Sequence, residues 1–298
     1  MSTIGALIAE KQQQAEAFKE QKAAERQELS NMTNDAISNI TQEPEAYLHY
    51  LDVQADNPGF SASNVLLAMK QYPDVSVFNS VRGWNAQGRS VIGGETGIKV
   101  RVSDPYIKDG RTHRGYKVGR VFDVSQTTGN RAMSKTTLAE NTPQMQLALR
   151  ALLYKSPVPV TPVSVSPFKD GAFDAYYDSQ KQAISVSELL TDSQTFAALA
   201  REIFRAKVHD HGRYAGYSRE ETELDATSAG YMLCRSFGVP CEKPDATKLG
   251  VLYEGMEPQD ARSILDSIQS IFREMQGAVQ KEIAPQQEQK RAHDQPAR

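Results

Sequence analysis

The sequence predicts an α+β protein: a small α+β domain followed by a mostly helical domain, both preceded by a long polar helix. Three observations carry that reading. Residues 8–34 are rich in Ala, Gln, Glu and Lys and contain no Gly or Pro, a composition that favours helix. Further on, the β-type runs "VSVF", "RSVI", "GIKVRVS" and "YKVGRVFDVS" fall between Gly-rich turns. From Asp192 to Gln280, helical patterning dominates.

Taken in order, residues 1–40 form a polar helical arm. Its apolar positions are too few for a packed bundle helix, so a solvated or frayed arm is favoured over a coiled-coil seam. Residues 41–135 form the small α+β domain. It opens with a helix that Ser61 or Ser63 can cap and whose buried face is Val65 to Met69. A break at Pro73 and the short strands follow. Residues 142–283 form the second domain, beginning with a helix over Thr142 to Tyr154. "KSPVPVTPVSVSP" then suits extended chain or an edge strand, because proline removes a ladder donor. "DAYYDSQKQAISVS" restores strand signals before the helices. The polar segment 284–298 is expected to be disordered.

At 298 residues, 39% hydrophobic and 24% charged, the chain has globular proportions and can bury a full core. No apolar run approaches the ~18 residues a membrane span needs. "MSTIGALIAEKQQQ" lacks the basic leader and long apolar region of a secretory signal. Cys234 and Cys241 are the only cysteines, too sparse for a disulfide framework or a four-thiolate zinc site. Cys234 is expected to be a small buried hydrophobe, and the setting to be cytoplasmic. A net charge of -3 gives no overall attraction for nucleic acid, so any such binding needs a local patch.

Two stretches bear on chemistry. "REIFRAKVH" has the outline of a zinc-peptidase helix, H-E-x-x-H, with Arg201 and Arg205 where the histidines would stand. Positions i and i+4 share a helix face and would grip one ion, but a guanidinium has no lone pair to offer. Glu202, the place of the general base, remains without its metal cradle. A site rebuilt from His209, His211 and Asp225 is geometrically conceivable if the helix ends there, although surface or capping roles are the commoner fate of such histidines. No cofactor is expected, zinc included.

The second stretch runs from Arg82 to Arg120. It holds Arg82, Arg89, Lys99, Arg101, Lys108, Arg111, Arg114, Lys117 and Arg120 against Glu95, Asp104 and Asp109 alone, with Trp84, Tyr106 and Tyr116 interleaved. Cations that track a backbone and aromatic faces that stack on bases are what sequence-tolerant single-strand binding requires. The bland alternatives stand beside this. Trp84 can be core, "KDGRTHRG" a solvated hairpin tip, Asn64 a brace for its helix, and Gln126 a partner for strand-end backbone.

The first half resembles the N-terminal single-stranded-DNA-binding domain of ArdC-type antirestriction proteins and their LtrC-like relatives on conjugative elements. The matching positions are Ser61, Asn64, Leu66, Leu67, Trp84, Gly88, Arg89, Val91, Gly94, Glu95, Gly97, Ile98 and Val121 to Thr127. The second half is similar to the zincin-like domain of that family, through "SPVPV", "ALAREIFRAKVHD" and "YSREETELDATSAGYMLCRSFGV". The ligand positions fall on Arg201, Arg205 and Thr227, with Asp225 a rival for the last. The resemblance spans roughly Tyr47 to Gly250 and implies a metallopeptidase-like fold that has lost its zinc chemistry. The expectation is a single-stranded-DNA-binding protein of a mobile element, read through Asn64, Arg82, Trp84, Arg89, Lys99, Arg101, Arg120 and Gln126. Two alternatives remain open: a metallopeptidase with a rearranged site, and an interaction protein that captures a partner through its N-terminal helix.

Overall fold

A computed structural model describes residues 3–113, 115–129, 136–164, 173–210 and 217–293. The elements run α1 (Thr3–Ile40), α2 (Pro44–Asp56), α3 (Ala62–Gln71), β1 (Phe78–Asn79), α4 (Val81–Ala86), β2 (Ser90–Val91), β3 (Ile98–Ser103), β4 (Tyr106–Lys108), β5 (Arg111–His113), β6 (Tyr116–Asp123) and β7 (Thr127–Thr128). They continue with α5 (Pro143–Lys155), β8 (Val160–Val163), β9 (Ala175–Asp178), β10 (Ala183–Ser187), α6 (Asp192–Asp210), α7 (Glu223–Ser236), α8 (Leu249–Leu252) and α9 (Pro258–His293). The fold is α+β, with the long N-terminal helix the sequence predicts. None of the described helices is long and apolar enough to cross a membrane.

The chain divides into two compact units. One comprises Met1–Asn39 with Ser63–Arg131, the other Ile40–Ala62 with Ala132–Arg298. The sequence boundary at residue 41 assigned α2 to the first domain, whereas its polar bonds are made to α7. Tyr47 Oη lies 2.9 Å from Ser228 Oγ, Tyr231 Oη donates to Asp52, and Arg235 pairs with Asp56 at 3.1 Å. Its aromatic and aliphatic side chains, Tyr47, Tyr50 and Leu51, are buried.

In the first unit, α1 is exposed along most of its first six turns and then packs. Leu29, Thr33, Ala36 and Ile37 form a buried stripe at helical spacing. The solvated arm is therefore confined to the N-terminal part of the helix, and the packed part was hard to read because its stripe begins only at Leu29. Ser61 occupies the position before α3, and Ser63 is buried in its first turn. A three-stranded sheet has the order β1-β6-β3, antiparallel throughout, with Ile98 opposite Val121 and Ser103 opposite Tyr116. Ile98, Val100 and Val121 line one buried face, and Phe122 is buried on the other. β2 pairs with β7, and β4 with β5. Asp109 and Gly110 join that hairpin with φ of 51° and 70°, the left-handed pair that matches the twist of two strands closed by a two-residue loop.

In the second unit, β8-β10-β9 form a small mixed sheet. The proline-bearing β8 is at its edge, parallel to β10, as the missing donor of Pro162 requires. Thr142 caps α5 by accepting from Met145 N–H at 3.2 Å. Phe196, Leu199, Ile203 and Phe204 of α6 join Met232, Leu233, Phe272 and Met275 in a helical core. The backbone of α9 continues as helix to His293, where the sequence reading expected disorder from residue 284. Its Gln, Glu, Lys and Arg are good helix formers, which favours helix beyond Ile283, the last buried residue among those whose side chains are described.

Candidate nucleic-acid interface and a buried ion-pair cluster

The edge strand β3 organises the first unit's charged face. An edge strand presents unpaired backbone groups, and here two amide side chains of α3 satisfy them. Asn64 donates Nδ2–H to Arg101 O and accepts from Arg101 N–H, both at 2.9 Å. Gln71, two turns on, does the same for Lys99 at 2.8 and 2.9 Å. Asn64 is thus a brace for β3. The two backbone clamps fix Lys99 and Arg101.

Their side chains meet different surroundings. Lys99 Nζ reaches α1, 3.3 Å from Glu28 and 3.6 Å from Glu25. Hydrogen bonding from Lys22, then the charges of Lys22 and Lys99, hold the Glu25 carboxyl below its ordinary range. Arg101 lines an open groove of about 530 Å³ between α1 and the strands, with Arg26 and Lys117 as the other cations and Tyr106 and Tyr116 as its rings. Tyr106 is 52% exposed and Tyr116 53%, so both residues are half open to solvent. Tyr106 also stacks on His113, with centroids 5.4 Å apart and planes inclined by 18°. Gly115 keeps the floor open. A Cβ there would meet Asp104 O at 2.5 Å and the Tyr106 ring at 2.9 Å. Lys117 is paired with Asp104 at 2.9 Å, exposed on both sides and therefore easily exchanged.

Several nominated residues are employed elsewhere. Trp84 is wholly buried in α4 and donates Nε1–H to Phe122 O at 2.8 Å, so it is a core residue with no face for a base. Gln126 is buried too. It accepts from Asp123 N–H and donates to Glu95 Oε2 and Thr96 O, which closes the turn between β6 and β7. Arg89 donates Nε–H to Thr127 Oγ1 at 2.8 Å and Nη2–H to Thr127 O at 3.1 Å, tying β2 to β7. Only Arg82 and Arg120 are exposed among the eight, and neither lines the groove. The sequence reading missed Arg26. Its side chain looks like any other charge on a polar helix until α1 is docked, and only Leu29, one turn on, hints at the buried side.

In the second unit, α6 carries the peptidase-like stretch. Gly230 of α7 packs against it so closely that a Cβ would lie 2.9 Å from Arg201 Cγ. Glu202 is wholly buried and its carboxylate is fully engaged. Arg219 donates to both oxygens, Nη1–H to Oε2 at 2.9 Å and Nη2–H to Oε1 at 2.8 Å, and Tyr177 N–H donates to Oε2 at 2.8 Å. Burial opposes the Arg219 charge, but the hydrogen bonds and charge of Glu202 outweigh it and strengthen its hold on the proton. Its guanidinium lies 4.8 Å from the ring centroids of both Phe173 and Tyr176, a cation–π arrangement.

Arg205, also buried, turns its guanidinium to Arg219 O at 2.9 Å, Thr222 Oγ1 at 2.6 Å and Glu223 at 2.7 Å, with Nε 3.4 Å from Glu202. Arg201 pairs with Asp174 at 2.5 Å. Thr227 donates its hydroxyl to Glu223 O of its own helix at 2.8 Å. Of the rebuilt-site candidates, His209 Nδ1 is 2.7 Å from Tyr177 Oη, Asp225 is buried in α7, and His211 lies outside the described residues. Burial pushes the nearby Tyr217 phenol up. Two arginines, Arg205 and Arg219, and two carboxylates, Glu202 and Glu223, thus form one ion-paired cluster. Arg219 and Tyr177 were not readable as its partners, being 17 and 25 positions from Glu202.

No family model matches the chain, and no curated protein matches it. Among solved structures the chain is similar to two crystal structures of the antirestriction protein ArdC from the R388 plasmid, one metal-free and one bound to Mn(II). The metal-free structure gives a TM-score of 0.47 at 16% identity, covering 76% of this chain and 84% of that one. The Mn(II)-bound structure gives 0.47 at 18% identity, covering 74% and 84%.

Proposed function

We propose that the first unit binds single-stranded DNA along the groove between α1 and the β3–β6 strands, with Arg26, Arg101 and Lys117 on the phosphates and Tyr106 and Tyr116 under the bases. One observation carries this reading: three cations and two half-exposed tyrosines converge on one open groove of about 530 Å³. Charge supplies a salt-sensitive, sequence-independent attraction, and each stacked base adds ~1–3 kcal/mol. The spaced motifs from Ser61 to Thr127 that resemble ArdC-type proteins support DNA as the nucleic acid and an antirestriction role for a conjugative element. Those motifs are mostly structural here, since Asn64, Trp84, Arg89 and Gln126 build the scaffold that presents the groove.

In the same reading the second unit is a peptidase-like scaffold without peptidase chemistry. Glu202 cannot act as a base on a metal-bound water while both of its oxygens accept from Arg219. The test is fluorescence anisotropy with a labelled oligothymidylate at several salt concentrations, using wild type, Arg26→Ala and Tyr116→Ala, with duplex DNA as comparator. Weaker single-strand binding in both variants is expected. Unchanged affinity in both would remove the groove as the binding surface.

A further inference from the structure

The β4–β5 hairpin adds nothing to the core of the first unit. All six residues of its strands are exposed, and the two strands pair only with each other. A two-stranded hairpin is marginal in water, and this one is supported by its left-handed Asp109–Gly110 turn and the Tyr106–His113 stack. Register sorts its side chains. Tyr106 is opposite His113, Ile107 opposite Thr112, and Lys108 opposite Arg111. Successive residues of a strand point to opposite faces, so one face carries the two rings and the two cations, and the other carries Ile107 and Thr112.

Three features of this hairpin point to a ligand. Like charges directly opposite each other across two strands repel, yet Lys108 and Arg111 are so placed, and among the described residues neither forms an ion pair. Ile107 is 78% exposed, the most open large apolar side chain described in the first unit. Tyr106, the first residue of β4, also lines the groove, so the hairpin runs on from it and carries Lys108 about 7 Å beyond that ring.

We propose that the hairpin is a pin that seats the protein at a junction between single-stranded and duplex DNA; this rests on the reading of the groove as a single-strand site. Lys108 and Arg111 hold phosphates of the strand that enters the groove past Tyr106. Ile107, on the opposite face, packs against the terminal base pair of the adjoining duplex. Apolar side chains seated against base steps are a recurrent device of DNA-binding proteins, and the contact is favourable because both apolar surfaces leave water. Cations alone would serve any stretch of strand. The apolar back face is what selects a duplex end.

The test compares fluorescence anisotropy of three kinds of labelled probe: an oligothymidylate, a blunt duplex, and that duplex bearing the same oligothymidylate as a tail, in either polarity. The full chain is used as wild type and as Ile107→Thr, which keeps a β-branched residue in the strand and replaces an ethyl group by a hydroxyl. Wild type should bind one tailed duplex about tenfold more tightly than either parent probe. Ile107→Thr should lose that preference and keep its oligothymidylate affinity. Lys108→Ala should weaken tailed-duplex binding and make the dependence of log affinity on log salt shallower by about 0.7. A tailed duplex bound no better than oligothymidylate would overturn the pin and leave the groove in place. So would a preference that Ile107→Thr retains, or an equal loss on both probes in that variant. Oligothymidylate that fails to bind wild type would remove the groove itself, and the pin with it.

Discussion

Replacing Glu202 by Gln separates a structural carboxylate from a catalytic one. The side chain keeps its shape but loses its charge, and one accepting oxygen becomes a donor facing Arg219. Glu202 now accepts three N–H groups at 2.8–2.9 Å while wholly buried, with Arg205 Nε a further 3.4 Å contact. Removing one member of a buried ion pair costs about 3–5 kcal/mol, because the other charge is left uncompensated. For a unit of this size each kcal/mol moves Tm by about 2–4 °C, so the second unit should melt about 6–20 °C lower. Thermal unfolding followed by circular dichroism reads this directly. The double substitution Glu202→Gln with Arg219→Met should cost less than the sum of its parts, with a coupling of about 0.5–3 kcal/mol. A Glu202→Gln protein melting within about 2 °C of wild type would refute the reasoning, since a solvated catalytic base can lose its charge at little structural cost.

Four further outcomes are expected. Tyr116→Ala should weaken oligothymidylate binding by about 5- to 150-fold, and Arg26→Ala should make the dependence of log affinity on log salt shallower by about 0.7. Intrinsic tryptophan fluorescence should stay unchanged on adding single-stranded DNA, because Trp84 is buried; strong quenching would put that ring back in the interface. Gln71→Ala should lower the stability of the first unit by about 1–3 kcal/mol and speed amide exchange at Lys99, and exchange no faster than wild type would deny the clamp.

What could be read from sequence followed the range of the interactions. The helix from α1, the antiparallel runs around Ile98 and Val121, and the proline-bearing edge strand all depend on local composition and spacing. That Arg201 and Arg205 offer no lone pair to a metal was equally plain, because guanidinium chemistry is fixed wherever they sit. The use of the polar side chains was not readable. Asn64 and Gln71 look like exposed amides on a helix, yet their partners are backbone groups 37 and 28 positions away. Arg89 sits beside a strand, as expected, but two of its five N–H donors are given to Thr127. A cation's availability depends on what it already holds, and that is a property of the fold.

The groove has one wall from Ala23 to Ser30 and another from Arg101 to Val118, so no short segment of the chain contains it. Any ligand seated there touches both walls and cannot remain bound if the helix lifts away. Occupancy and docking are then thermodynamically linked: a ligand at a hundred times its Kd adds about 2.7 kcal/mol to the stability of the docked state. Lys99, held by Glu25 and Glu28, supplies a modest share of that docking in the empty protein. The polar helix is therefore a clasp whose grip tightens under load.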